Sequence, residues 1–331
     1  MRKILLIIIC VILICFLLPI IFTKKFQVNL TSANIEPNML DKNKLYDYGN
    51  YNKVKLLHVE NNQVEEIDLD TYLYGVVSSE MPANYEKEAL KAQAVVARTY
   101  TIYKIFSGNK HENANICDDS KCCQAWISKE ERLSKWDEPQ RQTNWEKICD
   151  AVDSTKGKII TYEGKPINAF FHSNSGGLTD TATNVWGGTN YPYLQVVETA
   201  NEDAYNQYSS ELIISKEEFV SKIKNYHSDF NIEFNLENQI QILEYTEGQR
   251  VKTIKIGNLN LSGVEIRNIF GLKSAKFEIN INGDNIIFRV TGYGHGVGMS
   301  QTGADSLAKQ GKNYKDIIKH FYTNVEIVDY E

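Results

Sequence analysis

Apolar positions in this chain follow three spacings, and each predicts a different element. From Ile4 to Phe22 they are nearly continuous. At about 1.5 Å per residue that run is roughly 28 Å long as a helix, close to a hydrocarbon core of about 30 Å. Arg2 and Lys3 place its start on the cytoplasmic side, with Lys24 and Lys25 opposing that vote. No Ala-x-Ala cleavage pattern follows, so the run reads as a signal anchor rather than a cleaved leader. Residues 1–25 are thus expected to be a membrane anchor and 26–52, polar and Asn-rich, a linker. Residues 53–331 are then an extracytoplasmic domain on a cell membrane.

The second spacing is helical. Leu69, Tyr72, Leu73, Val76 and Val77 fall at i, i+3, i+4, i+7 and i+8, predicting a helix over 69–80 with Asp68 as cap and Pro82 as stop. A second helix is predicted over 85–106, with Asn84 as cap, Gly108 as stop and a small-residue face of Ala89, Ala92, Ala94 and Ala97. Further helical patterns cover 145–152, 299–309 and 314–322. The third spacing predicts strands at 54–59, 158–162, 194–198, 251–256, 275–281 and 285–290. The mixture reads as α+β, and we expect two lobes with a groove between them. Residues 203 to 265 show no identifiable chemistry, and His58, His227 and His320 read as structural. A net charge of −6 gives nucleic-acid binding no support.

One polar residue sits where the 69–80 stripe calls for an apolar one. Position i+11 is Glu80, an acid on the apolar face and at the negative end of a helix. Desolvation and the helix dipole both favour its protonated form, which is what a general acid needs. The alternative is a frayed last turn with Glu80 in water. On the second helix Arg98 either pairs with a carboxylate, anchors polar groups of a substrate, or snorkels to the surface.

Near the C-terminus, Gly292, Gly294, Gly296 and Gly298 alternate with Tyr293, His295 and Val297, and Met299-Ser300-Gln301 follow. Val297 and Met299 stand where a dinucleotide fingerprint would place its third glycine. The loop displays His295 and then the Ser300–Gln301 pair. A third block, Asn168 to Asp180, carries His172, Ser173 and the Gly176–Gly177 turn, with Trp186 close behind. Polar groups beside an aromatic suit a pyranose ring, although Trp186 could equally be core.

His111, Cys117, Cys122 and Cys123 crowd one short polar loop. One imidazole and three thiols make a tetrahedral structural zinc set. A Cys117–Cys123 disulfide is the alternative, since an exported loop permits one. No His-Glu-x-x-His is present, and a closed set of four ligands leaves no position for water, which argues against a zinc hydrolase.

Ser78-Ser-Glu-Met-Pro82, Glu88 to Thr101 and Gly294 to Gln301 together resemble the SpoIID/LytB domain family, over roughly Val54 to Ile327. The resemblance implies a lytic transglycosylase that cleaves the bond between N-acetylmuramic acid and N-acetylglucosamine in peptidoglycan during engulfment of the forespore. It implies preference for glycan already stripped of peptide and a 1,6-anhydro product. It assigns the catalytic acid to Glu80 and makes Arg98 an active-site residue, with His172, Ser173, Gly176, Gly177, His295, Ser300 and Gln301 as substrate contacts. Relatives carry His where this chain has Cys122, and some bind zinc. A peptidoglycan amidase and a membrane scaffold are the implied partners. The rival reading is a non-catalytic, glycan-binding modifier of such an amidase.

Overall fold

The computed structural model describes residues 51–108 and 111–329. The predicted anchor and all but the last two residues of the predicted linker lie outside the described residues. Among those described, no helix is long and apolar enough to cross a membrane.

The chain opens with a hairpin, β1 (Lys53–His58) and β2 (Gln63–Asp68), which leads directly into α1 (Leu69–Glu80). Asp68 takes extended dihedrals at the N-cap, and Asp70 lies in the first turn against the positive end of the dipole. All five residues of the predicted stripe are buried. The helix ends where Met81, ahead of Pro82, becomes extended at φ −124° and ψ 140°. α2 (Lys87–Phe106) starts later than its apolar pattern suggests, because Glu86 and not Asn84 holds the N-cap dihedrals. Its small-residue face is buried against the rest of the fold.

A loop carries β3 (Ile116–Cys117), paired parallel to β1, and leads to α3 (Lys129–Ser134) and α4 (Glu138–Asp153). β4 (Lys158–Tyr162) and β5 (Lys165–Pro166) follow, then β6 (Phe171–His172) and the short α5 (Ala182–Trp186). No strand forms over 194–198. Its backbone forms a turn at Leu194 and a single bridge between Glu198 and Leu178.

The stretch without evident chemistry builds its own hydrophobic cluster. β7 (Ser209–Ser215), α6 (Lys216–Lys224), β8 (Ile240–Tyr245), β9 (Val251–Ile256), β10 (Leu259–Ser262), α7 (Gly263–Phe270), β11 (Phe277–Asn282) and β12 (Asn285–Thr291) follow in order. They form two three-stranded sheets, β11-β12-β7 and β10-β9-β8. Phe219, Phe270 and Phe288 lie at their centre, with Phe219 and Phe270 stacked 5.1 Å apart.

β13 (Met299–Ser300) replaces the first turn of the predicted 299–309 helix. Ser300 is the N-cap of α8 (Gln301–Lys309), its hydroxyl accepting from Gly303 N–H. α9 (Tyr314–Phe321) and β14 (Glu326–Asp329) complete the chain, and β14 pairs with β4. The α+β class is as the sequence predicts. One pairing matters most for the site: β13 lies parallel to β6, with Met299 opposite Phe171 and Ser300 opposite His172.

Candidate active site

Glu80 ends α1 with part of the residue exposed and its carboxyl group enclosed by protein. Oε1 accepts from the backbone N–H of Ala125 at 2.6 Å, and Oε2 accepts from Gln301 Nε2 at 3.2 Å. Burial pushes the carboxyl pKa up, and the two amide donors, which favour the anion, only partly offset that. Among the described residues no second acid hydrogen-bonds or ion-pairs with Glu80, Gln301 or Ala125. Tyr100, whose ring is nearly buried, lies close enough to Glu80 to feel its charge and leads by aromatic contact to Phe170, 6.3 Å away.

From Phe170 the aromatic surface continues to Trp186 at 4.9 Å and His295 at 6.2 Å. Trp186 is 47% exposed and lies 5.0 Å from His295. It is not core. The four loop glycines all take left-handed φ, and at two of them the reason is explicit. A Cβ on Gly298 would meet the Phe170 carbonyl at 2.0 Å, and one on Gly296 would meet the Arg250 guanidinium at 2.0 Å. His172 Nδ1 faces the Val297 carbonyl at 3.2 Å, and burial followed by the Arg250 charge pushes its pKa down to about 3. His295 Nδ1 accepts from Val297 N–H at 3.0 Å, and burial, then its His172 neighbour, hold it well below the usual imidazole range. Both rings are therefore neutral at physiological pH, and each hydrogen-bonds the backbone of Val297 in the glycine loop.

The ligand atoms of His111, Cys117, Cys122 and Cys123 all lie within 4.8 Å of one another. His111 Nε2 is 3.8 Å from Cys122 Sγ and 3.6 Å from Cys123 Sγ, and the two sulfurs are 3.9 Å apart. Tetrahedral zinc with Zn–S of about 2.3 Å puts its sulfurs roughly 3.8 Å apart, so the donor set fits the metal. All three thiols are free. This loop also serves Glu80. Directly after Cys123, Gln124 is buried and donates to Tyr72 Oη and Thr101 Oγ1, both at 2.9 Å, and the next residue supplies the amide on Glu80 Oε1.

The family model described as stage II sporulation protein, SpoIID, matches residues 58–162. Stage II sporulation protein D of Bacillus amyloliquefaciens is 38% identical over 277 residues, covering 83% of this chain and 78% of the relative. Its Bacillus subtilis counterpart matches with the same identity and coverage. The chain belongs to the SpoIID family. A more distant relative, the amidase enhancer of Bacillus subtilis, is 28% identical over 307 residues, covering 78% of this chain and 40% of the relative.

Of the residues this SpoIID-family sequence singles out, the fold brings Gln301 onto Glu80 and gathers His172, His295 and the glycine loop beside Phe170. Arg98 needs correction as a substrate contact. It is fully buried, donating to the Thr155 and Val152 carbonyls at 2.8 and 3.2 Å at the C-terminal end of α4 and pairing with Asp70 at 3.7 Å. Neither a substrate nor bulk water reaches it. Ser300 is also fully buried, capping α8 and donating to Glu202. Ser173 contributes its carbonyl to Thr302, and Gly177 donates its N–H to Glu202 at 3.0 Å. The Gly176 carbonyl accepts from Lys276 Nζ at 2.8 Å, so the Gly-Gly turn is structural as well.

Glu202, which no motif announces, organises these segments. Its buried carboxylate accepts from Ser175 N–H and Oγ, Gly177 N–H, Thr199 Oγ1, Ser300 Oγ and Thr302 Oγ1. Burial alone would push its pKa up, and the donors together outweigh it and hold the pKa below the usual value. Arg250 likewise corrects the view that 203–265 is chemically silent. It binds the Leu178 and Ser175 carbonyls at 3.1 and 3.0 Å and faces buried Asp180 at 3.7 Å. A lone Ser-Gly-Gly or Arg in sequence gives no sign of such partners, which lie far along the chain.

Proposed function

We propose that this SpoIID-family chain is a membrane-anchored lytic transglycosylase, cleaving the N-acetylmuramic acid to N-acetylglucosamine bond of peptide-stripped peptidoglycan during sporulation engulfment. The observation that carries this reading is the single, desolvated Glu80 carboxyl group, held by two amide donors and close to Tyr100, which packs on the Phe170 ring. A hydrolase normally needs two carboxylates, one as acid and one to direct water or attack. Here one suffices. Glu80 gives its proton to the glycosidic oxygen as the bond to the muramyl C1 breaks. The muramyl 6-hydroxyl then closes on C1, its proton returns to Glu80, and the product is a 1,6-anhydro sugar. Intramolecular attack supplies a large effective molarity.

Ala125 N–H at 2.6 Å keeps Oε1 an acceptor, so Oε2, more loosely held by Gln301, carries the transferable proton. Trp186, with Phe170 and His295, offers the apolar face that a pyranose ring stacks on. His111, Cys117, Cys122 and Cys123 would hold a structural zinc, which would fix the segment that ends at Ala125. Ile4–Phe22 is the anchor, and a peptidoglycan amidase and a membrane scaffold are the partners.

A second reading, a glycan-binding modifier of an amidase, is favoured by the relative named amidase enhancer. Mass spectrometry of peptide-stripped glycan incubated with the protein separates the two. Anhydro-ended fragments that vanish with Glu80→Gln support the enzyme, whereas full-length strands with the wild type leave only the modifier.

A further inference from the structure

Tyr100 is reached from both oxygens of the Glu80 carboxyl group. On α2 its neighbour Thr101 receives Gln124 Nε2 at 2.9 Å, and the residue after Gln124 gives its N–H to Glu80 Oε1. From the other side, the Tyr100 ring lies 6.3 Å from that of Phe170, whose carbonyl accepts from Met299 N–H at 3.1 Å. Two residues beyond Met299, Gln301 donates to Glu80 Oε2. The two segments that hold the acid therefore both adjoin the turn of α2 that carries Tyr100.

The hydroxyl of Tyr100 differs from those of its neighbours in the core. Tyr72 and Tyr193 accept from Gln124 and Asn168 at 2.9 and 3.0 Å, and Tyr322 donates to the Phe170 carbonyl at 2.7 Å. Among the described residues nothing hydrogen-bonds Tyr100 Oη. A buried hydroxyl is costly to leave unpaired, and such groups normally find a partner. Only 5% of Tyr100 is exposed, and what is exposed includes that oxygen, so it faces space that a ligand can enter. The ring itself is held, by Phe170 and by the Lys104 ammonium 4.9 Å from its centre. Burial, followed by the charges of the cluster thiols and of Glu80, pushes the phenol pKa far up. The hydroxyl keeps its proton, so it can donate a hydrogen bond and cannot act as a base.

In the glycan-cleaving reading above, on which this inference rests, one substrate atom calls for such a donor. Glu80 serves the glycosidic oxygen and then takes up the proton of the muramyl 6-hydroxyl. That hydroxyl turns about its C5–C6 bond unless a second group fixes it. We propose that Tyr100 is a second catalytic residue, donating a hydrogen bond to the muramyl 6-oxygen and holding it over C1 with its own proton toward Glu80. The O6–C1 bond forms, the bond from C1 to the glycosidic oxygen breaks, and the 6-hydroxyl proton passes to Glu80. Tyr100 keeps its own proton throughout. A fixed nucleophile also keeps water from taking its place, so the same contact decides between an anhydro end and a hydrolysed one.

The test compares the full chain with its Tyr100→Phe variant, which loses only the hydroxyl and keeps the ring on Phe170. Initial rates on peptide-stripped glycan give kcat and KM, and mass spectrometry counts 1,6-anhydro against reducing muramyl ends. Tyr100→Phe should lower kcat about tenfold to a hundredfold at unchanged KM and raise the share of reducing ends. Its thermal midpoint should match the wild type, because no protein partner is lost. Wild-type kcat in the variant, or a slower variant that still gives anhydro ends alone, overturns the assignment while the glycan reading stands. A large fall in the midpoint also overturns it, since the hydroxyl would then serve the fold. A wild type that yields no anhydro ends overturns both readings.

Discussion

In the proposed reaction Glu80 can act as an acid only because its surroundings disfavour its charged form. Its folded pKa lies above the unfolded value, so folding takes up a proton in the window between the two. The stability penalty is absent below the ordinary carboxylate range, grows as pH rises through that window and is complete above the folded pKa. Glu80→Gln should therefore abolish cleavage while leaving thermal stability at neutral pH equal or slightly higher, which calorimetry on both proteins checks. Activity should fall on the alkaline side as Glu80 loses its proton. Gln301 favours the anion, so Gln301→Ala should move that limb to higher pH, as initial rates on stripped glycan across pH will reveal. Glu202 has the opposite sign. Its depressed pKa supports the fold above the ordinary carboxylate range, and that support is lost as pH falls through the folded value. Glu202→Ala strands hydroxyl and amide donors from three segments and should cost about 3–5 kcal/mol in urea unfolding. A cost below about 1 kcal/mol would show that Glu202 is not the organiser described here.

Among the elements, the loop from His111 to Ala125 deserves separate testing because it joins a metal-type donor set to the acid. Gln124 fastens it to α1 and α2, and Ala125 delivers the amide. The bound protein should contain equimolar zinc after dialysis. Its removal by a chelator should lower activity and raise amide exchange across 111–126 without unfolding the β7–β12 cluster, whose core has no part in the loop. An unchanged exchange pattern would mean that the thiols do not hold this segment. How much was legible differs by element. α1 and its acid follow from spacing alone, since a helix stripe interrupted by Glu80 is local information. The β6–β13 pairing was not legible, because two-residue strands carry no periodicity and their register is set by partners more than a hundred residues away. A separation of 45 residues hides the Ala125 amide from Glu80, as any backbone N–H looks alike in sequence.

For the molecule as a whole, the described residues fall in one unit by their contacts, and every group in the proposed chemistry lies within it. A protein beginning near residue 47 should fold, cleave stripped glycan in solution and no longer sediment with membranes. The full chain should sediment with them, as membrane fractionation of the two will establish. Arg98 illustrates the limit at this level. A cation on a small-residue helix face has the same sequence whether it meets a substrate or the carbonyls ending α4, and only the position of α4 decides for the carbonyls.

What the amino-acid order settled is therefore whatever depends on near neighbours: the α+β character, the helix that presents Glu80, the glycine loop, and the cluster of one imidazole and three thiols. What it left to the assembled fold is whatever depends on burial and on distant donors. Those are the raised pKa of Glu80, the inward turn of Arg98 and Ser300, the exposure of Trp186 and the anchoring by Glu202. The reason is that desolvation and hydrogen bonding are set by atoms close in space, and for this site those atoms come from segments spread between residues 80 and 309.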